Sequence, residues 1–281
     1  VLMSIPGAAS PLFLATAAAA ADSAAYQIDR SLRFNKADSA YLNRTPSSAG
    51  DRKKWTWSGW VKRSGNDSAH HLFVADKDSS ASLGNLTFGR FYILSGGQLD
   101  LSGYTQAWRR TDALLRDPSA WYHLVCAVDT TLSTADDRIK LYINGAQVAN
   151  TDFDVKNNPD QNAELAFNQA TQHTIGARSR SGTIAHHHDG YLAEVYFIDG
   201  QQLAATDFGE YDSNNVWQPK AFSGTYTAAA SGSTTSLSQT GWQTSDQANI
   251  WDGNTNTRSV GYADNQVGTV TFNPPLTNVT K

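Results

Sequence analysis

The chain has 281 residues, with 22 Lys and Arg against 26 Asp and Glu, a formal net charge of −4, and 21 glycines. The length holds one large domain and part of another. The mild acidity excludes a nucleic-acid footprint, because Arg109-Arg110 and Arg52-Lys53-Lys54 are isolated clusters rather than a stripe.

Residues 1–25 imitate a signal peptide: Pro11-Leu12-Phe13-Leu14 runs into alanine. No Lys or Arg precedes Arg30, however, and Pro6, Gly7 and Pro11 interrupt the apolar stretch. The expectation is an Ala-rich assembly arm that docks on a partner, since alanine loses little side-chain entropy on ordering. No segment is apolar for long enough to span a bilayer.

From residue 26 the texture turns to short strands. Residues 31–35 alternate, a turn follows at 36–39, and another strand starts at 40–42. Residues 54–63 alternate strictly, with Trp55, Trp57, Gly59 and Val61 on one face, and Thr56, Ser58, Trp60 and Lys62 on the other. The first face is assigned to the core. Further strands are expected at 71–75, 85–93, 98–102 and 106–109. Residues 121–129 read as a strand that buries Cys126 as an inert thiol, the chain's one cysteine and so no disulfide partner. In the next strand Ile139, Leu141 and Ile143 share a face, and Asn144-Gly145 suits a type I′ hairpin turn. Residues 152–168 form a long polar loop of the kind that is functional or mobile. Strands at 171–177 and 190–198, with a helical turn near 202–208, complete the pattern. Residues 223–240 are a Gly/Ser/Thr/Ala linker, and 241–281 begin a second β module.

The run Trp121-Tyr122-His123-Leu124-Val125, the hairpin Lys140-Leu141-Tyr142-Ile143-Asn144-Gly145 and the stretch Asp189-Gly190-Tyr191-Leu192-Ala193-Glu194-Val195 occur in that order. Together they resemble the laminin G-like branch of the concanavalin A-like lectins over residues 28–217. The segments SLRFN, ADSAYL and WTWSGWVKR resemble the laminin G-like sandwiches of marine tailed-phage virion proteins. The resemblance implies an all-β fold: an antiparallel β-sandwich, the concanavalin A-like jelly roll, over residues 26–222. The stretch Ile250-Trp251-Asp252-Gly253-Asn254 weakly resembles the entry loop of a discoidin or galactose-binding-like domain.

Lectin sandwiches of this kind often hold calcium at the rim. The resemblance therefore makes Asp76, Asp78 and Asp189 metal candidates, with Asp129, Asp136 and Asp137 as further oxygens. In the discoidin-like loop Asp252, Asn254 and Thr257 would hold the ion. Surface turns are rich in aspartate in any case. His186-His187-His188 cannot all grip one ion from an extended strand, and the alternative is exposed imidazoles at the mouth of the next strand. Trp60, Tyr92, Tyr104, Trp108 and Tyr191 are candidates to stack on sugar rings. No paired-carboxylate signature, phosphate loop or Cys/His pair points to catalysis. The expected role is a virion structural protein, in the tail or decorating the capsid. Its sandwich would recognise a cell-surface glycan or pack against other virion proteins, as a homotrimer by analogy. The alternative is a carbohydrate-binding module of a secreted bacterial enzyme or adhesin.

Overall fold

The computed structural model describes residues 26–75, 88–103, 107–224, 238–240 and 270–273. The arm at 1–25 and the discoidin-like loop with Asp252, Asn254 and Thr257 lie outside the described residues. So do Asp76, Asp78 and Tyr104.

In chain order the strands are β1 (Leu32–Phe34), β2 (Tyr41–Arg44), β3 (Lys54–Arg63), β4 (His70–Ala75), β5 (Gly89–Ile93), β6 (Gln98–Ser102), β7 (Ala107–Leu114), β8 (Tyr122–Asp129), β9 (Ile139–Ile143) and β10 (Ala146–Gln147). They continue with β11 (Phe153–Lys156), β12 (His173–Ile175), β13 (Arg178–Arg180), β14 (Thr183–Ala185), β15 (Gly190–Asp199), β16 (Gly209–Tyr211), β17 (Trp217–Pro219), β18 (Ser238–Thr240) and β19 (Val270–Asn273). The first sheet runs β1-β15-β3-β8-β9-β10, and the second runs β11-β7-β6-β5-β4-β12-β2-β18. The described pairings are antiparallel except that of β19, which joins β15 parallel along Val195 to Ile198. That edge of β15 is shared, because β1 pairs only with Gly190 to Leu192.

The expected alternation holds in β3. Trp55, Trp57 and Val61 enter the main core, with Leu124, Cys126 and Val128 from β8 and Phe91, Ile93, Leu99 and Leu101 from the second sheet. Thr56 and Ser58, on the other face, are also fully buried. Their cover is the chain's own segment at 201–222, which lays Leu203, Phe208, Trp217 and Phe222 over Val125, Ala127, Tyr142, Tyr196 and Ile198. Periodicity reads one strand at a time and cannot foresee a later segment returning across its outer face. The long loop at 152–168 also proves less free than expected. It contains β11, and it sends Leu165, Ala166 and Phe167 into the main core.

The hairpin between β9 and β10 turns as the sequence predicts: Asn144 has φ 49° and Gly145 φ 85°. Asn144 Oδ1 also accepts the His123 backbone N–H at 2.8 Å, tying the turn to β8. Only glycine fits the second position, because a Cβ there would lie 2.3 Å from the Trp217 ring. Gly145→Ala is expected to cost about 2 kcal/mol or more, from positive φ together with displacement of Trp217. Urea unfolding checks this, and a change below about 0.5 kcal/mol would contradict the close approach.

Candidate functional site

The two outer faces of the sandwich differ in chemistry. On the first sheet the covering segment seals the centre around His123, which is 1% exposed. Trp217 Nε1–H donates to His123 Nδ1 at 3.1 Å, and His123 Nε2 lies 2.9 Å from Ser58 Oγ. An indole N–H can only donate, so the imidazole proton sits on Nε2 and is given to Ser58. Burial pushes this histidine down to about 3, so it is neutral. Thr56 Oγ1 donates to the Gln201 carbonyl at 2.7 Å and accepts the Leu203 N–H at 2.8 Å. Every polar group named here has a partner.

The outer face of the second sheet is polar and less complete. Phe91, Ile93, Leu99 and Leu101 point into the core, so the alternate residues Arg90, Tyr92, Asp100 and Ser102 point outward. Register sets His71 opposite Tyr92, Tyr92 opposite Asp100, and Asp100 opposite Arg110. The His71 and Tyr92 rings stack at 4.9 Å and 17°, and the Arg90 guanidinium lies 4.8 Å from the Tyr92 ring centroid. Asp100 is fully buried, accepting from Arg110 Nε at 2.8 Å and from the Ser102 hydroxyl. Burial outweighs those two donors and holds the Asp100 carboxyl above its usual range. Tyr92 is likewise raised by burial and then by the Asp100 charge.

The hairpin of β13 and β14 brings Arg178 towards this row, and the turn after it brings His186, whose ring centroid is 5.8 Å from that of His71. His71 is 2% exposed and neither of its ring nitrogens has a hydrogen-bond partner. The buried Nε atoms of Arg90 and Arg178 also lack one. Burial, then Arg90, His186 and Arg178, push His71 down to about 2.

The three adjacent histidines part company. His186, at φ 53°, turns outward, and His187 lies 6.0 Å from Tyr41. His188 enters the interior, which corrects the expectation of three exposed rings. His70 Nε2 faces the Gly65 carbonyl at 3.0 Å and so carries its proton there. Its Nδ1 is then the acceptor for His188 Nδ1–H at 3.1 Å. Nearby Arg63 is 1% exposed, and none of its three guanidinium nitrogens has a partner. Burial lowers its pKa.

Of the aromatic candidates, Tyr92 and Trp108 need correction. Both are buried, at 5% and 8% exposure, Tyr92 against His71 and Arg90 and Trp108 in the main core. Their rings are not offered to a ligand. Trp60 is half-buried against His123 at 5.0 Å, on the rim of the sealed face. Tyr191 is half-buried, with the Arg33 guanidinium 5.1 Å from its ring and Trp121 at 6.4 Å. Each described aspartate among the calcium candidates is paired with a cationic side chain. Asp189 pairs with Arg33 at 3.2 Å, Asp129 with Lys54 at 2.9 Å, Asp136 with Lys156 at 2.9 Å and Asp137 with Lys140 at 3.3 Å. Among the described residues no group of three or more His, Cys, Asp or Glu is arranged to hold a metal. Residues absent from the sequence reading are His71, Arg90 and Arg178. Alternation with Phe91 marks Arg90 as outward-facing, but no local signal joins it to Arg178.

The fold and the two faces define a lectin-like β-sandwich. The chain belongs to the concanavalin A-like lectin/glucanases superfamily, whose laminin G-type family model matches residues 35–207. No match was found among curated proteins. Among solved structures the chain is similar to the heptameric SAP-like pentraxin of Limulus polyphemus, at 15% identity and TM-score 0.40 over 64% of this chain and 75% of that one. It is also similar to the CBM40 module of the Ruminococcus gnavus IT-sialidase, at 12% identity and TM-score 0.41 over 64% and 95%. A third is the NanB sialidase of Streptococcus pneumoniae, at 13% identity and TM-score 0.42 over 66% and 29%.

Two outcomes follow from the buried groups. His70, His71, His123, His173 and His188 all have lowered pKa values with burial as the first cause. In the unfolded chain they take up protons near the ordinary value of about 6.5, so stability is full above that pH. It should fall steeply between pH 6.5 and about 4, the value to which His70 and His173 are lowered. Urea midpoints across this window check it, and a flat profile would contradict neutral burial. Arg63→Met removes an unpartnered buried charge and is expected to leave stability unchanged or raise it by about 1–4 kcal/mol. Thermal unfolding reads the sign, and a marked loss would mean Arg63 is satisfied.

Proposed function

We propose that the chain is a non-catalytic glycan-recognition module of a tailed-phage virion protein, and that it binds through the outer face of its second sheet. The observation that carries the reading is the contrast between the faces. One is sealed by the chain's own segment, whereas the other holds an aromatic-polar row with buried donors that lack acceptors. Recognition sites fix a ligand with a small number of placed polar groups. The absence of catalysis is supported by the carboxylates of that face. Arg110 stands between Asp100 at 2.8 Å and Asp154 at 3.9 Å, so a guanidinium occupies the pair where glycoside hydrolysis would need two carboxylates open to substrate. The virion assignment rests on the resemblance of the segments at 31–42 and 54–63. A homotrimer would present several weak sites together, making the second contact intramolecular.

The test is binding of the full chain, displayed multivalently, to a glycan array and to intact bacteria, with a search for the chain in purified particles. Saturable binding to defined sugars and presence in particles is the expected result. Sugar binding by a chain attached to a secreted enzyme would transfer the reading to a carbohydrate-binding module. Presence in particles without any glycan binding would leave a purely architectural subunit.

A further inference from the structure

We propose that the face of the second sheet carries a seat for a single anionic group, a carboxylate or sulfate on an acidic saccharide, formed by Arg90, Arg178, His71 and His186. The inference rests on the glycan-binding reading and names the class of sugar.

Three separate pieces of chain converge there: β4 with His71, β5 with Arg90, and the β13–β14 hairpin bearing Arg178. The Arg90 guanidinium lies 4.8 Å from the Tyr92 ring that stacks on His71, and the exit turn of the hairpin sets the His186 ring 5.8 Å from that of His71. Arg178 and Arg90 are close enough to oppose one another electrostatically, as are His186 and both arginines. The other groups near the cluster are His187 and Arg180, with His70 behind it on the inner side of β4, again basic or neutral. The carboxylate that feels Arg90 is Asp100, and Arg110 and Ser102 already hold it. The Nε atoms of Arg90 and Arg178 are sealed from solvent, so a ligand meets the half-exposed guanidinium ends. Water cannot neutralise adjacent guanidinium groups, whereas an oxyanion can, through charge-assisted bonds. The approach is open: His186 is exposed, and Arg90 and Arg178 are half-exposed above the buried His71. The net charge of −4 on the whole chain opposes a long polyanion, which favours one acidic group on an otherwise neutral sugar.

The experiment uses the full chain at constant ionic strength. Sodium sulfate, methyl glucuronide, sulfated galactose and their uncharged counterparts are titrated, with the histidine imidazole resonances and calorimetry as readouts. Sulfate is expected to shift the His71 and His186 resonances saturably. An acidic saccharide should bind about tenfold tighter than its neutral counterpart. The double variant R90Q/R178Q should erase that preference, whereas R30Q/R116Q, which removes the same charge at exposed sites, should keep it. Circular dichroism verifies the fold of each variant, and the sulfate titration of the unaltered chain stands without them. Equal binding of acidic and neutral sugars overturns this inference and leaves the glycan reading intact. Sulfate perturbation without any saccharide binding overturns the glycan reading and leaves a free-anion seat. No response to either overturns both.

Discussion

Trp55, Phe73, Phe167 and Phe197 come from four distant stretches and close on one another between the sheets. Trp55 lies 4.9 Å from Phe167 and 5.6 Å from Phe197, and Phe73 lies 5.3 Å and 5.1 Å from the same two rings. Phe73 and Phe197 belong to opposite sheets, so this contact sets how the layers face each other. Losing one such buried ring typically costs about 3–5 kcal/mol, a large share of a domain's net stability. The constraint reaches further than the rings. Phe167 is delivered by a loop, so that loop must lie against the sandwich. Gly89 opens β5 beneath it, where a Cβ would meet the Phe167 ring at 2.7 Å. The inner faces are thereby fully spent on packing, and anything the molecule recognises has to be read from an outer face or a rim.

The outer faces then divide the remaining work. Covering the first sheet turns half-buried strands into fully buried ones, which obliges Thr56, Ser58 and His123 to find partners inside. They do so through Gln201, Leu203 and Trp217. The segment at 201–222 is therefore matched to that sheet in polar as well as apolar terms. Among the described residues the second sheet has a short hairpin near its equivalent position, and its polar groups are partly matched.

Much of this architecture was legible. Strict alternation in 54–63 placed Trp55 and Trp57 in the core, and Asn144-Gly145 marked the hairpin because two successive positive φ values admit few residues. Burial of Cys126 followed from its neighbours Val125 and Ala127. What escaped was whatever depended on chain returning from elsewhere. Tyr92 reads as an outward aromatic, which it is by register, but His71 stacks on its ring and the Arg90 guanidinium lies over it. Trp108 precedes two arginines and looks like surface, yet register shifts between β6 and β7 turn it inward. The partners of the candidate aspartates were mostly hidden in the same way. Asp129, Asp136 and Asp189 each answer a lysine or arginine that the fold brings near, and Asp137 alone answers a local one, Lys140.

That pairing sharpens the meaning of the cations left over. Arg33, Arg52, Lys54, Arg110, Lys140 and Lys156 each meet a carboxylate within 3.3 Å. A fold that matches charge so regularly at its rim leaves buried guanidinium nitrogens unanswered at Arg63 and at the Nε of Arg90, Arg109 and Arg178. Arg63 is enclosed, at 1% exposure, and can only weaken the fold or hold a trapped water. Arg90 and Arg178 differ because their side chains are half-exposed beside an exposed histidine, where the proposed anion would offset their charge. The same desolvation that makes an unmatched donor costly makes a matched one strong. An incomplete polar row at an open face is therefore the arrangement in which stability withheld from the free protein becomes affinity for a ligand.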